Sequence, residues 1–333
     1  MVSRTFALSI ESLPPELREP VRVAYLLCRV VDCVEDTPRL GAARRERLFD
    51  LFDETLGHDR RDPSAFEQLA KAVGLGVTVA ERDLCSEAGR VFGQFRTLSP
   101  REREAIRSPV AEMSGGMRDY AARGDLAPLR MEDRADLELY CYFVAGTVGW
   151  LLTDLFVAAV AEARQDTGLR ERAISFGIGL QMVNILKDVA QDAQRDVCYL
   201  PQAEARRAGV QLEELIERLR APEPSASLPP ERLLLGELAG LAREHLRDGI
   251  EYTLAWPTEG GRAVRVFCGV PLALAFATLD EIELGTAALQ AQRSPRVTRA
   301  TVAEVAGAVA AAADDPHEFE ALLRGVDRTG ARP

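Results

Sequence analysis

A chain of 333 residues that is 47% apolar and 28% charged is globular and long enough to bury a substantial core; length alone would allow two domains. Its net charge of −11 argues against nucleic acid as a partner, because phosphate backbones are held by clustered Lys and Arg, and suits a site that gathers cations. Six cysteines, Cys28, Cys33, Cys85, Cys141, Cys198 and Cys268, show no paired metal-ligand spacing and read as reduced thiols in a cytoplasmic protein.

The N-terminus has no charged region followed by an apolar run, and no stretch approaches 18 uninterrupted apolar residues. The expectation is a soluble chain with at most peripheral membrane contact. Ser12-Leu13-Pro14-Pro15-Glu16 signals a helix entry, and that helix runs to about Asp36, where Thr37-Pro38 stops it. Within it Tyr25, Arg29, Asp32 and Asp36 step by four, three and four, so they share one stripe between apolar residues. The stretches Ala42 to Gly57 and about Val77 to Phe95 are helical with Arg and Glu outward, and the segment between them is loop-like through His58-Asp59-Arg60-Arg61-Asp62-Pro63. Ser99-Pro100-Arg101-Glu102 combines an N-cap, Pro at N1 and Glu at N3, which starts a helix that reaches Gly124. Gly115-Gly116 inside it suits a backbone bend, a ligand's approach or a packing contact.

Asp133 to about Ala163 reads as one long apolar helix or a helix pair, in which Ala145-Gly146-Thr147-Val148-Gly149 places small residues four apart for close helix packing. Next comes a helix in which Gln181, Asn184, Asp188 and Asp192 form a second polar stripe, continued by Arg195, while Met182, Val183, Ile185, Leu186 and Val189 make the remaining surface apolar. Arg195 to Pro201 leaves that helix, and another helix leads to the Pro/Ser-rich loop at Ala221 to Pro230, too short to separate domains. Helices follow from about Glu231 to Leu254, from about Gly261 to Leu284 with a kink at Pro271, and from Thr301 to Leu323. No strand alternation is sustained, and nothing repeats apart from the acidic stripes.

Those stripes carry the chemistry. A carboxylate on a largely buried helix costs several kcal/mol unless a cation or hydrogen bonds compensate it. Two such helices, each with two carboxylates one turn apart, suit hard divalent cations such as Mg²⁺, held by carboxylates on one side and by the oxygens of a substrate diphosphate on the other. Arg29, Lys187 and Arg195 then neutralise what remains. Taken singly, an Asp-x-x-x-Asp pair is more often a solvated face; two of them, embedded in apolar helices and each with its own cation, favour a site.

Arg29 with Asp32-Cys33-Val34-Glu35-Asp36, and Gln181 with Asn184 to Asp192, resemble the two aspartate motifs of the squalene/phytoene synthase family. Ser3-Arg4-Thr5-Phe6-Ala7, Tyr140-Cys141-Tyr142-Phe143-Val144-Ala145-Gly146-Thr147-Val148-Gly149 and Phe267-Cys268-Gly269-Val270-Pro271 resemble further family motifs, the last one of squalene synthases. The resemblance runs from Ser3 to about Leu284. It implies a single all-α domain of the isoprenoid synthase type, a helical bundle with a central cavity over residues 1–325, followed by a polar tail over 326–333. Family members normally have another helix before the position of Ser3, and eukaryotic squalene synthases carry a C-terminal membrane anchor, whereas Arg324-Gly325-Val326-Asp327-Arg328-Thr329-Gly330 reads as a frayed polar tail.

The implied reaction is a Mg²⁺-dependent head-to-head coupling of two molecules of farnesyl diphosphate through presqualene diphosphate, with NADPH reducing the product to squalene. By resemblance Asp32, Glu35, Asp36, Asn184, Asp188 and Asp192 hold metal, Ser3, Arg4, Phe6, Tyr25, Arg29, Gln181, Lys187, Arg195 and Tyr199 bind substrate, and Tyr140 steers proton loss near the carbocation. Tyr199 belongs to a flap over the diphosphate. Arg293, Arg296 and Arg299 stand roughly where squalene synthases carry a basic cofactor-binding segment, with Pro295 placing them in a loop. Lys187 occupies a position where many members have Arg, keeping the charge and losing the two-pronged contact to phosphate. Rival readings are a presqualene diphosphate, dehydrosqualene or phytoene synthase without reductant, and a non-catalytic helical prenyl-diphosphate-binding protein. A chain-elongating prenyltransferase or a terpene cyclase shares the implied fold, but the former usually shows two Asp-Asp-x-x-Asp motifs and this sequence has neither. The working form is a monomer or a homodimer.

Overall fold

The computed structural model describes residues 9–38, 40–160, 166–221, 228–284 and 297–328. The fold is all-α, as expected, apart from one short strand pair. The chain divides into two compact units, one of residues 14–127 with 150–159, the other of 1–13, 128–149 and 160–333.

The first unit opens with α1 (Pro15–Asp36), which starts at a Pro and stops where Thr37 turns extended. It continues through α2 (Ala42–Gly57), α3 (Ser64–Val73), α4 (Val79–Ser86), α5 (Ala88–Thr97) and α6 (Pro100–Leu126). The stretch from His58 to Pro63 is loop, as expected, and α3, which the sequence pattern did not announce, follows it; it ends at Gly74, whose left-handed backbone (φ 63°) lets its N–H reach the Ala70 and Lys71 carbonyls. The single helix expected from Val77 to Phe95 is broken at Glu87. There Glu67 of α3 accepts a hydrogen bond from the Gly89 N–H at 2.8 Å, so a long-range side chain serves the new helix start. Ser99 and Glu102 form the expected capping box of α6, which passes through Gly115 and Gly116 without a break. The core is aromatic. Phe52 packs against Phe66 and Phe92, and with Phe49 and Phe95 these rings are fully buried.

The second unit contains β1 (Arg130–Met131) and α7 (Arg134–Cys141), which passes into a π-helical turn at Tyr142–Gly146 and then into α8 (Thr147–Ala159), most of which belongs to the first unit. Then come α9 (Leu169–Ala193), β2 (Cys198–Pro201), α10 (Gln202–Ala208), α11 (Leu212–Arg220), α12 (Pro229–Leu254), α13 (Arg262–Leu284), α14 (Arg299–Ala312) and α15 (Pro316–Arg328). Strand β2 pairs in parallel with β1, a pairing that no alternation in the sequence announced. Helix α9 is the spine of the unit, packed along α12 and against the π-helical turn. Small residues permit that approach: a Cβ added at Gly149 or Gly177 would collide with the carbonyl oxygen of Ala173 or Ala145. Helix α13 continues through Pro271.

The helix expected from Thr301 to Leu323 is two helices. Asp315 accepts from the His317 and Glu318 amides at 2.8 and 3.0 Å and caps α15 ahead of Pro316. Helix α15 reaches Arg328, inside the stretch read as polar tail. Although no apolar run of 18 residues is uninterrupted, Arg134–Ala159, Leu169–Ala193 and Arg262–Glu283 are by length and mean composition each apolar enough to cross a membrane; in the last two, 67% and 78% of the apolar window is buried within the protein. All six cysteines are free and buried.

Candidate active site

Helix α1 delivers Asp32, Glu35 and Asp36 to its last turn, where no basic residue is present. The carbonyl end of a helix is its negative end, so these acids need positive charge brought to them. Arg29, one turn back on the expected stripe, supplies part of it: its guanidinium binds Asp32 Oδ2 at 2.7 Å and Glu81 Oε1 at 2.6 Å. The other Glu81 oxygen accepts from the Val77 and Thr78 amides at 3.1 and 2.8 Å, closing the capping box of α4. One carboxylate therefore caps a helix and holds the cation of the first motif. Burial would raise Glu81, but its bonds from Thr78 and the Arg29 charge outweigh that and keep its carboxyl below the ordinary range. The sequence reading missed Glu81. Its Thr78-x-x-Glu81 signal was legible, whereas its link to Arg29 was not.

Asp32 is half-buried and Asp36 is exposed. Burial pushes the Asp32 carboxyl up from 3.8 to about 6; Arg29 pulls it back, and the neighbouring Asp36 and Glu81 add to the rise. Tyr25 and Glu35 are half-buried.

The second motif lies on α9 with the expected faces: Met182, Val183, Ile185, Leu186 and Val189 are buried, while Gln181, Asn184 and Asp188 are half-buried. Asp192 is only 7% exposed and is bound by Arg195 Nη2 at 2.7 Å. Lys187 is also 7% exposed; its ammonium sits 3.0 Å from Asp188 Oδ2 and donates to Asn184 Oδ1 at 3.4 Å. Past the helix end, Asp196 adopts a left-handed backbone (φ 63°), and Arg130 donates to its carbonyl at 2.9 Å. This turn sends the chain into β2. Tyr199 on β2 then stacks on Tyr140 with ring centroids 4.7 Å apart, and the Tyr140 hydroxyl donates to that of Tyr199 at 3.1 Å. The resemblance gave Tyr140 and Tyr199 different roles, and the fold puts the two rings in contact. The π-helical turn begins two residues after Tyr140, a type of irregularity that often accompanies functional positions.

Ser3, Arg4, Phe6, Arg293 and Arg296 lie outside the described residues. Arg299 does not sit in the expected loop: it is the first residue of α14, exposed, next to the Thr298 cap. Among the described residues no three His, Cys, Asp or Glu side chains converge into a ready metal cage. The donor set still fits Mg²⁺, which takes one or two carboxylates from protein and fills its shell with water and phosphate oxygens. Burial is the chief cause of the raised Asp32 carboxyl, with Asp36 and Glu81 adding to it, and a bound cation would offset the cost of that carboxylate's charge.

The family model described as squalene/phytoene synthase matches residues 1–301. A squalene synthase of Candida albicans is 28% identical over 85% of this chain and 60% of its own length, and one of Cyberlindnera jadinii is 30% identical over 84% and 59%. The chain thus spans about 60% of the length of these curated relatives. Among solved structures, a complex of TcSQS with a ligand aligns over 98% of this chain and 96% of its own, with a TM-score of 0.76 at 22% identity. A ligand complex of a dehydrosqualene synthase aligns over 92% and 91%, with a TM-score of 0.61 at 20% identity.

Proposed function

The chain belongs to the squalene/phytoene synthase family, and from that premise we propose that it joins two molecules of farnesyl diphosphate head to head and, with NADPH, delivers squalene. The observation that carries this reading is the repetition of one device: two long helices end in paired acids, and each brings its own cation, Arg29 in the first and Lys187 with Arg195 in the second. A lone solvated acidic face would have no need of a buried lysine.

Asp32, Glu35 and Asp36, with Asn184, Asp188 and Asp192, would hold Mg²⁺, which supplies charge stabilisation for the departing pyrophosphate. Arg29, Lys187, Arg195, Ser3 and Arg4 bind the diphosphate oxygens left over, and Tyr25, Phe6, Gln181 and Tyr199 line the substrate. Apolar side chains around the substrate would keep water from the allylic cation until the second double bond attacks. Closing the cyclopropane of presqualene diphosphate releases a proton, which Tyr140 would direct, a role supported by its hydrogen bond to the Tyr199 hydroxyl. NADPH, contacted by Arg293, Arg296 and Arg299, would supply the hydride that turns this intermediate, with loss of its pyrophosphate, into squalene. The protein works in the cytoplasm as a monomer or homodimer with at most peripheral membrane contact, a reading supported by its six free cysteines.

The test is incubation with farnesyl diphosphate and Mg²⁺, with and without NADPH, followed by lipid extraction and mass spectrometry. Squalene is expected with NADPH and presqualene diphosphate without it. The same product in both arms would assign a dehydrosqualene, phytoene or presqualene diphosphate synthase instead. Absence of pyrophosphate release would leave a binding protein.

A further inference from the structure

We propose that Arg45 and Arg220 are positioning residues, each holding in place the carbonyl end of one motif helix; for its catalytic consequence this rests on the metal-binding reading above. Arg45 lies in the first turn of α2, where a positive charge is unfavourable to its own helix, and it is buried, with 11% of its side chain exposed. Its partners explain the placement. Nε donates to the Val34 carbonyl at 3.3 Å and Nη2 to the Thr37 carbonyl at 3.2 Å, while Nη1 binds Asp125. Thr37 is itself tied down: its hydroxyl donates to the Cys33 carbonyl at 2.6 Å and accepts from the Gly76 N–H at 2.9 Å. The turn bearing Asp32, Glu35 and Asp36 is therefore closed by a planar fork that reaches two backbone oxygens at once.

The second motif helix ends in a matching way. Arg220 Nε donates to the Ala193 carbonyl at 2.7 Å, one residue after Asp192, and its Nη2 binds Asp196 at 2.9 Å. Neither arginine touches the motif carboxylates in these contacts. Each satisfies carbonyls at a helix end that the sequence leaves without a local basic residue, and so sets where the acids point.

The experiment compares wild type with Arg45→Lys, with Arg45→Met paired with Asp125→Asn so that no acid is orphaned, and with Arg220→Lys. Lysine keeps the charge and loses the fork. Amide hydrogen exchange of the metal-free proteins should quicken over residues 30–38 in both Arg45 variants and over 190–197 in Arg220→Lys, with α6 residues 106–120 unchanged. Mn²⁺ binding without substrate should weaken by about tenfold or more, the usual cost of losing a group that orients metal ligands, and the Mg²⁺ needed for half-maximal turnover should rise alongside, with little change in KM for farnesyl diphosphate. Exchange and metal dependence both like wild type in folded variants would overturn the proposal. So would tighter metal binding in the Met variant, which would make Arg45 only a repelling charge. If wild type fails to turn over farnesyl diphosphate while exchange and Mn²⁺ binding change as expected, the functional reading falls and the clamps stand.

Discussion

At Asp32, burial and function pull in opposite directions. Its carboxyl is raised from 3.8 to about 6 chiefly by burial, so in the metal-free protein the folded state binds this proton more tightly than the unfolded chain does. The stability that follows is fully present below about pH 4 and is lost as pH rises through about 6. Asp32→Asn should therefore melt higher than metal-free wild type at pH 7.5, with the gap narrowing toward pH 4. Each tenfold gain in proton affinity is worth about 1.4 kcal/mol, which caps the difference at about 3 kcal/mol. Thermal melts at the two pH values check this, and an equal gap at both would contradict it. In activity the same variant, like Asp188→Asn, should lose at least about 10²-fold, since each removes a ligand charge from the metal site. Tyr140→Phe keeps the stacking on Tyr199 and deletes only the hydroxyl that donates at 3.1 Å. It should lower kcat and shift the product pattern while leaving KM nearly unchanged; a rise in KM alone would make Tyr140 a wall residue. Most of these residues were legible from spacing by three and four. Glu81 was not, because its capping role is local but its grip on Arg29 spans 52 positions.

Helices were read well wherever their ends carried their own signals. Ser99 and Glu102 capped α6 as expected, and Thr37 stopped α1. Asp315-Pro316-His317-Glu318 carries the same grammar and was overlooked within an apolar run; the break at Glu87 depends instead on Glu67 of another helix. The small residues at 145–149 were read as a close helix contact, and the structure supplies its other half in Ala173 and Gly177. Gly149→Ala and Gly177→Ala each drive a methyl into a backbone carbonyl that cannot step aside. Each should destabilise the protein by about 1–3 kcal/mol or more, seen as a lowered melting temperature. Gly115→Ala meets nothing within 4 Å on the exposed side of α6 and should instead be neutral or stabilising by up to about 1 kcal/mol. Equal effects at all three positions would refute the close-contact account.

For the whole chain, family membership was readable from motifs alone, and the family match over residues 1–301 agrees with it. What the sequence determined by itself is everything set by neighbours along the chain: the all-α class, the principal helices, their apolar faces, and the stripes that put paired acids one turn apart. Periodicity and caps act over three or four residues, so they are written in consecutive letters. Only tertiary structure decided which charges meet. Arg45 finds Asp125 80 residues away, Tyr140 finds Tyr199 59 residues away, and Arg130 holds the turn at Asp196 66 residues away. Such pairings are chosen by the packing of helices that bury apolar faces contributing far more free energy than any one ion pair. The strand pair of β1 and β2 follows the same rule: residues of ordinary local preference are brought alongside by the turn after Asp196, and their backbone groups, removed from water, satisfy one another.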